Sequence, residues 1–386
     1  MIPYGRQSID QDDIQAVVSV LESDYLTQGP LVTRFENCIK EYSGVEHAVA
    51  VNSATSALHI ACLALDVRRG DWVWTSPITF VASANCALYC GAKVDFVDID
   101  PTTGNLSISA LEEKLVQAEQ QNCLPKVLIP VHFAGQPCDM AAIKSLSERY
   151  GFCIIEDAAH AIGSSYQGHK TGCCKYSDIT VFSFHPVKII TSAEGGMALS
   201  NNKKLADKMR LLASHGVTRD PEQMKFPLEG EWVYQQIDLG FNYRISDLHA
   251  ALGLSQFKKL DEFISKRNEL SNCYDQSFSQ LPCMPLTRQD RVVNSYHLYV
   301  VLLDQKIDRA IVFDKLRAQG LGVNVHYIPI YKQPFYQSLG FTSFYCKGAE
   351  EFYKKSITLP IFPALKEKTQ AEVIKVFRNV LEQAAL

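Results

Sequence analysis

The chain is 386 residues long, carries a net charge of −4, and is 47% hydrophobic and 21% charged. That length allows a large domain and a smaller one, and so mild an acidity gives no electrostatic basis for gripping nucleic acid or an anionic membrane. No stretch of the sequence offers the ~20 uninterrupted apolar residues of a membrane helix.

Apolar residues at helical spacing predict helices over 10–22 and 31–41, joined by the turn-rich Ser23-Asp24-Tyr25-Leu26-Thr27-Gln28-Gly29-Pro30. From 45 to 200, short apolar runs alternate with helical patterns. Strands are predicted at 47–51, 93–98, 126–132, 152–156, 179–184 and 197–200, with helices at 55–65, 108–119 and 140–150 between them. This alternation predicts an α/β layered domain with a mostly parallel sheet. Further on, helices are predicted at 202–213 and 246–265, the second capped by Ser246 or Asp247. A smaller α+β region follows, with strands at 297–303 and 323–327. Only 218–240 lacks a pattern.

The 12 cysteines include no Cys-x-x-Cys pair, and most, such as Cys62 and Cys153, sit in apolar runs. They read as small hydrophobes rather than zinc ligands or disulfides. The start, Met1 to Arg6, lacks the basic-then-apolar pattern of a secretory leader. A reduced, cytoplasmic setting is expected.

Two strand ends carry chemistry. Lys188 follows an apolar run, in Ser183-Phe184-His185-Pro186-Val187-Lys188, and precedes Glu194-Gly195-Gly196. Asp157 closes another run, in Glu156-Asp157-Ala158-Ala159-His160. Alone, the lysine reads as a solvated charge and the aspartate as a helix N-cap. Together they are what pyridoxal 5′-phosphate (PLP) chemistry needs. The amine holds the cofactor covalently as a Schiff base, and the carboxylate keeps its pyridine nitrogen protonated. Apolar neighbours favour partial burial of Lys188, which lowers an amine's pKa and favours the nucleophilic form. Asn52-Ser53-Ala54-Thr55-Ser56-Ala57 runs from a strand into a helix, and reads either as an ordinary cap or as a phosphate seat. Ser183 adds a possible phosphate contact, His160 a partner for the phenolic oxygen, and Phe80 a ring-stacking face. No dinucleotide glycine motif, P-loop, nucleophile elbow or His-Glu-x-x-His is present.

These blocks, together with 76–83, Pro-Val-His-Phe-Ala-Gly at 130–135 and Gly-Phe-Asn-Tyr-Arg-Ile-Ser-Asp at 240–247, make the chain resemble the sugar-nucleotide aminotransferases of the DegT/DnrJ/EryC1/StrS family over nearly its whole length. The resemblance implies a fold-type I PLP-dependent transferase. Residues 1–255 form its large PLP-binding domain with an N-terminal arm, and 256–386 its small C-terminal α+β domain. It assigns Lys188 as the Schiff-base residue, Asp157 to the pyridine nitrogen and His160 to the phenolic oxygen. Phe80 lies over the ring, and Ala54, Thr55 and Ser183 bind phosphate. Asn242 reaches the phosphate in a neighbouring subunit, implying a homodimer with shared active sites. The family's dehydratase branch has histidine in place of the lysine, so Lys188 favours amino transfer. Ala193 departs from the pattern, standing where many relatives have glycine.

Within the family, Leu26-Thr27-Gln28-Gly29, the Phe-His-Pro-Val-Lys form of the lysine motif and Val325-His326-Tyr327-Ile328-Pro329-Ile330-Tyr331 are most like the pseudaminic acid branch. That branch aminates C4 of a UDP-linked 4-keto-6-deoxy-N-acetylhexosamine of L-altrosamine type, with L-glutamate as donor. By this resemblance Tyr4, Asp24, Tyr25, Leu26, Thr27, His326, Tyr327, Ile328, Pro329, Ile330 and Tyr331 line the sugar-nucleotide pocket, beside Ala54, Ser183 and Asn242. Read without it, His326 and Tyr327 are polar tips at a strand end. The alternatives are an aminotransferase of another nucleotide-linked 3- or 4-ketosugar, and a non-catalytic regulatory protein on the same fold.

Overall fold

A computed structural model describes residues 1–227 and 229–384. Its centre is a sheet whose strands are apolar on both faces, as expected where helices cover each side. The first short strand, β1 (Ile2–Pro3), lies outside this sheet. The sheet takes β2 (His47–Val51), β3 (Trp72–Thr75), β4 (Lys93–Phe96), β5 (Val127–Ile129) and β6 (Cys153–Asp157). After a small hairpin of β7 (Ser165–Tyr166) and β8 (His169–Lys170), it adds β9 (Ile179–Ser183) and β10 (Gly196–Ser200). The strand order is β2-β10-β9-β6-β5-β3-β4. All pairs are parallel except those of β10, which is antiparallel to both β2 and β9.

Side chains alternate between the two faces along each strand. Val49, Ile155, Val181 and Ala198 point into one apolar cluster, which also holds helices α3 (Ala54–Ala64) and α4 (Ala82–Tyr89). Ala48, Ala50, Phe182, Met197 and Leu199 point into another, roofed by Phe35 and Ile39 of α2 (Pro30–Ser43), the helix that follows α1 (Gln11–Leu21). The result is a three-layer domain. Because β6 and β9 run parallel, their C-terminal ends, Asp157 and Ser183, open on the same edge of the sheet. Ligands bind at that edge in open α/β sheets.

A second, three-stranded antiparallel sheet joins Cys283–Pro285, Tyr299–Leu303 and Ser356–Leu359. Its own apolar cluster includes Tyr274, Val312 and Phe377. β1 pairs with Leu321–Gly322, tying the N-terminus to this part of the chain.

Several expectations need correction. The single helix expected over 246–265 is two, Asp247–Phe257 and Leu260–Phe278. No proline or glycine marks the break, so the periodicity runs through it. Tertiary contacts hold it: Lys259, at the junction, donates to Asp10 and Asp13 at 2.7 Å each. Residues 323–327 do not form a ladder, making only an isolated bridge from Asn324 to Thr358. The strand Trp72–Thr75 and helix Ala82–Tyr89 were not anticipated. The strand is four residues long. The helix buries Ala82, Ser83, Ala84, Cys86 and Ala87, which leaves little amphipathic contrast to detect. Among the described residues no helix is long and apolar enough to cross a membrane.

Candidate active site

At the open edge of the sheet lies a cavity of about 380 Å³. It gathers Lys188, Asp157, His160, Ala54, Thr55, Phe80, Ser183, Tyr4, His326 and Tyr327 from segments far apart in sequence.

Asp157 is 5% exposed. Its Oδ2 accepts the Ser83 hydroxyl at 2.6 Å, and its Oδ1 accepts the Ala159 amide at 3.1 Å. Lys188 lines the same cavity, where burial, opposed by the charge of Asp157, pushes its amine down from 10.5 to about 8. Among the described residues the two make no ion pair, and no cation contacts Asp157. A half-buried amine and a buried carboxylate that face one space without meeting are costly unless something charged lies between them.

His160 is held by the Ala134 amide, which donates to Nδ1 at 3.3 Å. Burial first, then the nearby Lys188 charge, keeps the ring neutral, well below the usual histidine range. Its proton therefore sits on Nε2, which faces the Tyr327 hydroxyl at 3.3 Å. His326 is pushed down to about 3 by burial and by Lys188. Its Nε2 lies 3.3 Å from the Asn324 amide nitrogen, a donor only, so its Nδ1 donates to Thr358 Oγ1 at 2.8 Å. The base of the cavity is thus polar but neutral, apart from Lys188 and the acids.

The far end is the start of α3. Ser53 caps it by accepting the Ser56 amide, which leaves the amides of Ala54 and Thr55 in the first turn without intrahelical acceptors. A β-carbon on Gly196 would come within 2.4 Å of Ala54 N, so only glycine on β10 lets the helix start sit so close to the sheet. Ser183, 6% exposed, faces the same end. Phe80 stands 60% exposed at the mouth. An anion seat, a neutral imidazole donor, an acid and an amine around one slot fit a phosphorylated, hydroxylated pyridine aldehyde such as PLP.

Other expected residues lie elsewhere. Asp24, Tyr25, Leu26 and Thr27 are exposed, held by the Leu26 carbonyl to Asp247 and by a bridge from Thr27 to Ser246. Tyr25 lines a separate cleft with Asp12, Arg34 and Lys258. Asn242 is exposed and bridges Ser214. Ile328 is 44% exposed, whereas Pro329, Ile330 and Tyr331 are buried, with the Tyr331 hydroxyl given to Glu350. None of these nine lines the cavity of a single chain. Conversely, Thr79, His185, Glu194 and Asn324 line it without having been singled out as site residues. Thr79 was detectable, since it stands four residues before Ser83 in the segment that bears Phe80.

Residues 7–378 match the DegT/DnrJ/EryC1/StrS aminotransferase family. The chain is 39% identical over 386 residues to a UDP-4-amino-4,6-dideoxy-N-acetyl-beta-L-altrosamine transaminase of Campylobacter jejuni, covering 99% of this chain and 98% of that one. Its structure is similar to Helicobacter pylori PseC, an aminotransferase involved in pseudaminic acid biosynthesis, with a TM-score of 0.91, 33% identity and 99% of each chain covered. It is also similar to the PLP-form of a putative sugar aminotransferase, Spr1654, from Streptococcus pneumoniae, with a TM-score of 0.88, 28% identity and 99% of each chain covered. With residues 7–378 matched and its amine, acid and anion seat on one sheet edge, the chain belongs to the DegT/DnrJ/EryC1/StrS aminotransferase family.

Proposed function

We propose that this protein is a PLP-dependent aminotransferase that moves an amino group from L-glutamate to C4 of a UDP-linked 4-keto-6-deoxy-N-acetylhexosamine of L-altrosamine type, as in pseudaminic acid biosynthesis. The observation that carries the chemistry is the half-buried Lys188 amine and buried Asp157 carboxylate sharing one cavity without touching. The Campylobacter relative and the PseC likeness carry the choice of sugar.

PLP would be held by Lys188 covalently, by Asp157 at its ring nitrogen, by His160 near its phenolic oxygen and by Ala54, Thr55 and Ser183 at its phosphate, with Phe80 across the ring. When bound, the cofactor supplies the electron sink that lets a carbon next to nitrogen lose its proton. The rest falls to the chain. The Lys188 amine, once free, would take a proton from the donor's α-carbon and return it, on the same face, to the carbon on the other side of the nitrogen, acting as base and then as acid. An amine near 8 suits both tasks better than one near 10.5. His160, neutral and protonated on Nε2, donates without adding charge. Tyr4, His326 and Tyr327 flank the space left for sugar.

We further read the protein as a cytoplasmic homodimer, with 1–255 as the cofactor domain and 256–386 as the small domain, a division that falls in the last turn of Asp247–Phe257. Support for a second copy comes from Phe226, Trp232, Tyr234 and Leu239, which stand 59% to 75% exposed just before Asn242. In that dimer Asn242 reaches the neighbouring phosphate, and Asp24, Tyr25, Leu26 and Thr27, with the exposed Ile328, complete the sugar pocket. The test is product analysis by NMR on a panel of nucleotide ketosugars with glutamate. Amination of the UDP-4-ketosugar at C4 is expected; turnover of dTDP-linked sugars alone would overturn the substrate assignment.

A further inference from the structure

Among the described residues the Asp157 carboxylate has no cationic partner, yet it is held by two hydrogen bonds. Ser83 Oγ lies 2.6 Å from Asp157 Oδ2, 2.9 Å from Thr79 Oγ1 and 3.3 Å from the Phe80 carbonyl. A hydroxyl has one proton to give. The carboxylate accepts only and is the nearer oxygen, so the proton goes there rather than to the Phe80 carbonyl. Ser83 must then accept from Thr79, whose own proton points to Ser83. The direction of the chain is fixed: Thr79 O–H to Ser83 O–H to Asp157. Thr79, Ser83 and Asp157 are 4%, 0% and 5% exposed, so water does not compete for these bonds.

We propose that Ser83, backed by Thr79, is a positioning residue for amino transfer, setting the orientation and negative charge of Asp157 toward the cofactor's ring nitrogen. Two aligned hydroxyls polarise each other, and a hydrogen bond to an ionised oxygen is stronger than a neutral one. With Ser83 on Oδ2 and the Ala159 amide on Oδ1, both oxygens are anchored and the plane of the carboxylate is fixed. The same segment carries Phe80 between its two hydroxyls, so one short stretch places both the ring-covering side chain and the hydroxyls that hold the acid. Without Ser83 the carboxylate loses a donor that nothing else in the cavity replaces. Its charge is then less well stabilised, and the shared proton shifts from the ring nitrogen toward the acid.

This inference rests on Asp157 facing the ring nitrogen, so the experiment separates the two. Holoenzyme is loaded with PLP labelled with ¹⁵N in the ring, and the nitrogen shift is followed against pH beside the glutamate half-reaction. Ser83→Ala should move the ring nitrogen toward its unprotonated shift and slow the half-reaction by about tenfold, with KM for glutamate nearly unchanged. Ser83→Thr, which keeps the hydroxyl, should restore both readings. Thr79→Val, which keeps shape and removes only the outer hydroxyl, should shift the nitrogen in the same direction by less. A nitrogen shift unmoved by Ser83→Ala and by Thr79→Val, while Asp157→Asn does move it, overturns the relay and leaves the role of Asp157 standing. A shift unmoved by Asp157→Asn overturns both.

Discussion

Glu156 and Asp157 are neighbours in sequence on one strand, yet they lead different lives. Glu156 faces one side of the sheet, where its Oε2 meets His132 Nε2 at 2.7 Å and its Oε1 accepts from Ser177 and Thr180. The Cys138 amide donates to His132 Nδ1 at 3.2 Å, so the ring proton is on Nε2 and goes to Glu156. That acid is satisfied entirely within the chain. Asp157, on the other side, has one hydroxyl and one amide donor but no imidazole, and looks across a cavity at an amine it does not touch. One strand thus carries an acid the chain satisfies and, in the function proposed above, one that serves the cofactor. What tells them apart is whether the chain itself supplies the partner; an acid left without one marks where a ligand's charge belongs.

The comparison breaks first at Lys188. Lys188→Ala should cut amino transfer by about 10⁴-fold or more, read in single turnovers with glutamate, while the urea midpoint of the apoprotein stays level or rises. Activity within tenfold of wild type would mean that another amine does the work.

On the structural side, His132→Ala should cost about 3 kcal/mol in urea unfolding, because it strands the buried Glu156 carboxylate. A loss below about 0.5 kcal/mol would show that the pair is not what holds this strand. Asp157→Asn should do the reverse, slowing transfer by about 10²-fold while shifting apoprotein stability by less than about 0.5 kcal/mol. Equal stability losses in the two variants would erase the distinction drawn between the two acids.

A pH measurement sharpens the same point. Borohydride trapping of an aldehyde on Lys188 needs the neutral amine, so its rate should rise through a midpoint near 8 rather than 10.5. The sign for stability follows. The folded amine has the lower pKa, so between about 8 and 10.5 the unfolded chain binds more protons, and apoprotein stability gains with rising pH across that window. A trapping midpoint at 10.5 would mean that Lys188 is solvated.

The smallest effect concerns Ala193. It adopts φ +66°, a left-handed conformation that glycine takes without strain. Ala193→Gly should therefore raise stability by about 1 kcal/mol, read as a higher urea midpoint.

Much of this was legible in the residues alone. The α/β alternation showed because parallel strands buried on both faces are continuous apolar runs, and helices between them keep their own period. Lys188, Asp157 and His160 stood out because each ends or follows such a run, and in layered α/β folds that is where the cavity opens. The Ser53–Thr55 helix start was visible from its small and hydroxyl residues. Other features were not. The break at Lys258 and Lys259 carries no local breaker and depends on Asp10 and Asp13 from a distant helix. Ile330 and Tyr331 read as pocket lining beside Tyr327, but turn inward, and Tyr331 meets Glu350.

The sequence by itself determined most of the central strands and the helices between them, and that an amine and an acid end or follow two of those strands, because periodicity and strand-end chemistry are local properties. Only the tertiary structure decided that Glu156 pairs with His132 while Asp157 leans on Ser83, and that Lys188 remains apart from both. Those outcomes depend on which face of β6 each side chain takes and on which distant strand or helix is packed against that face.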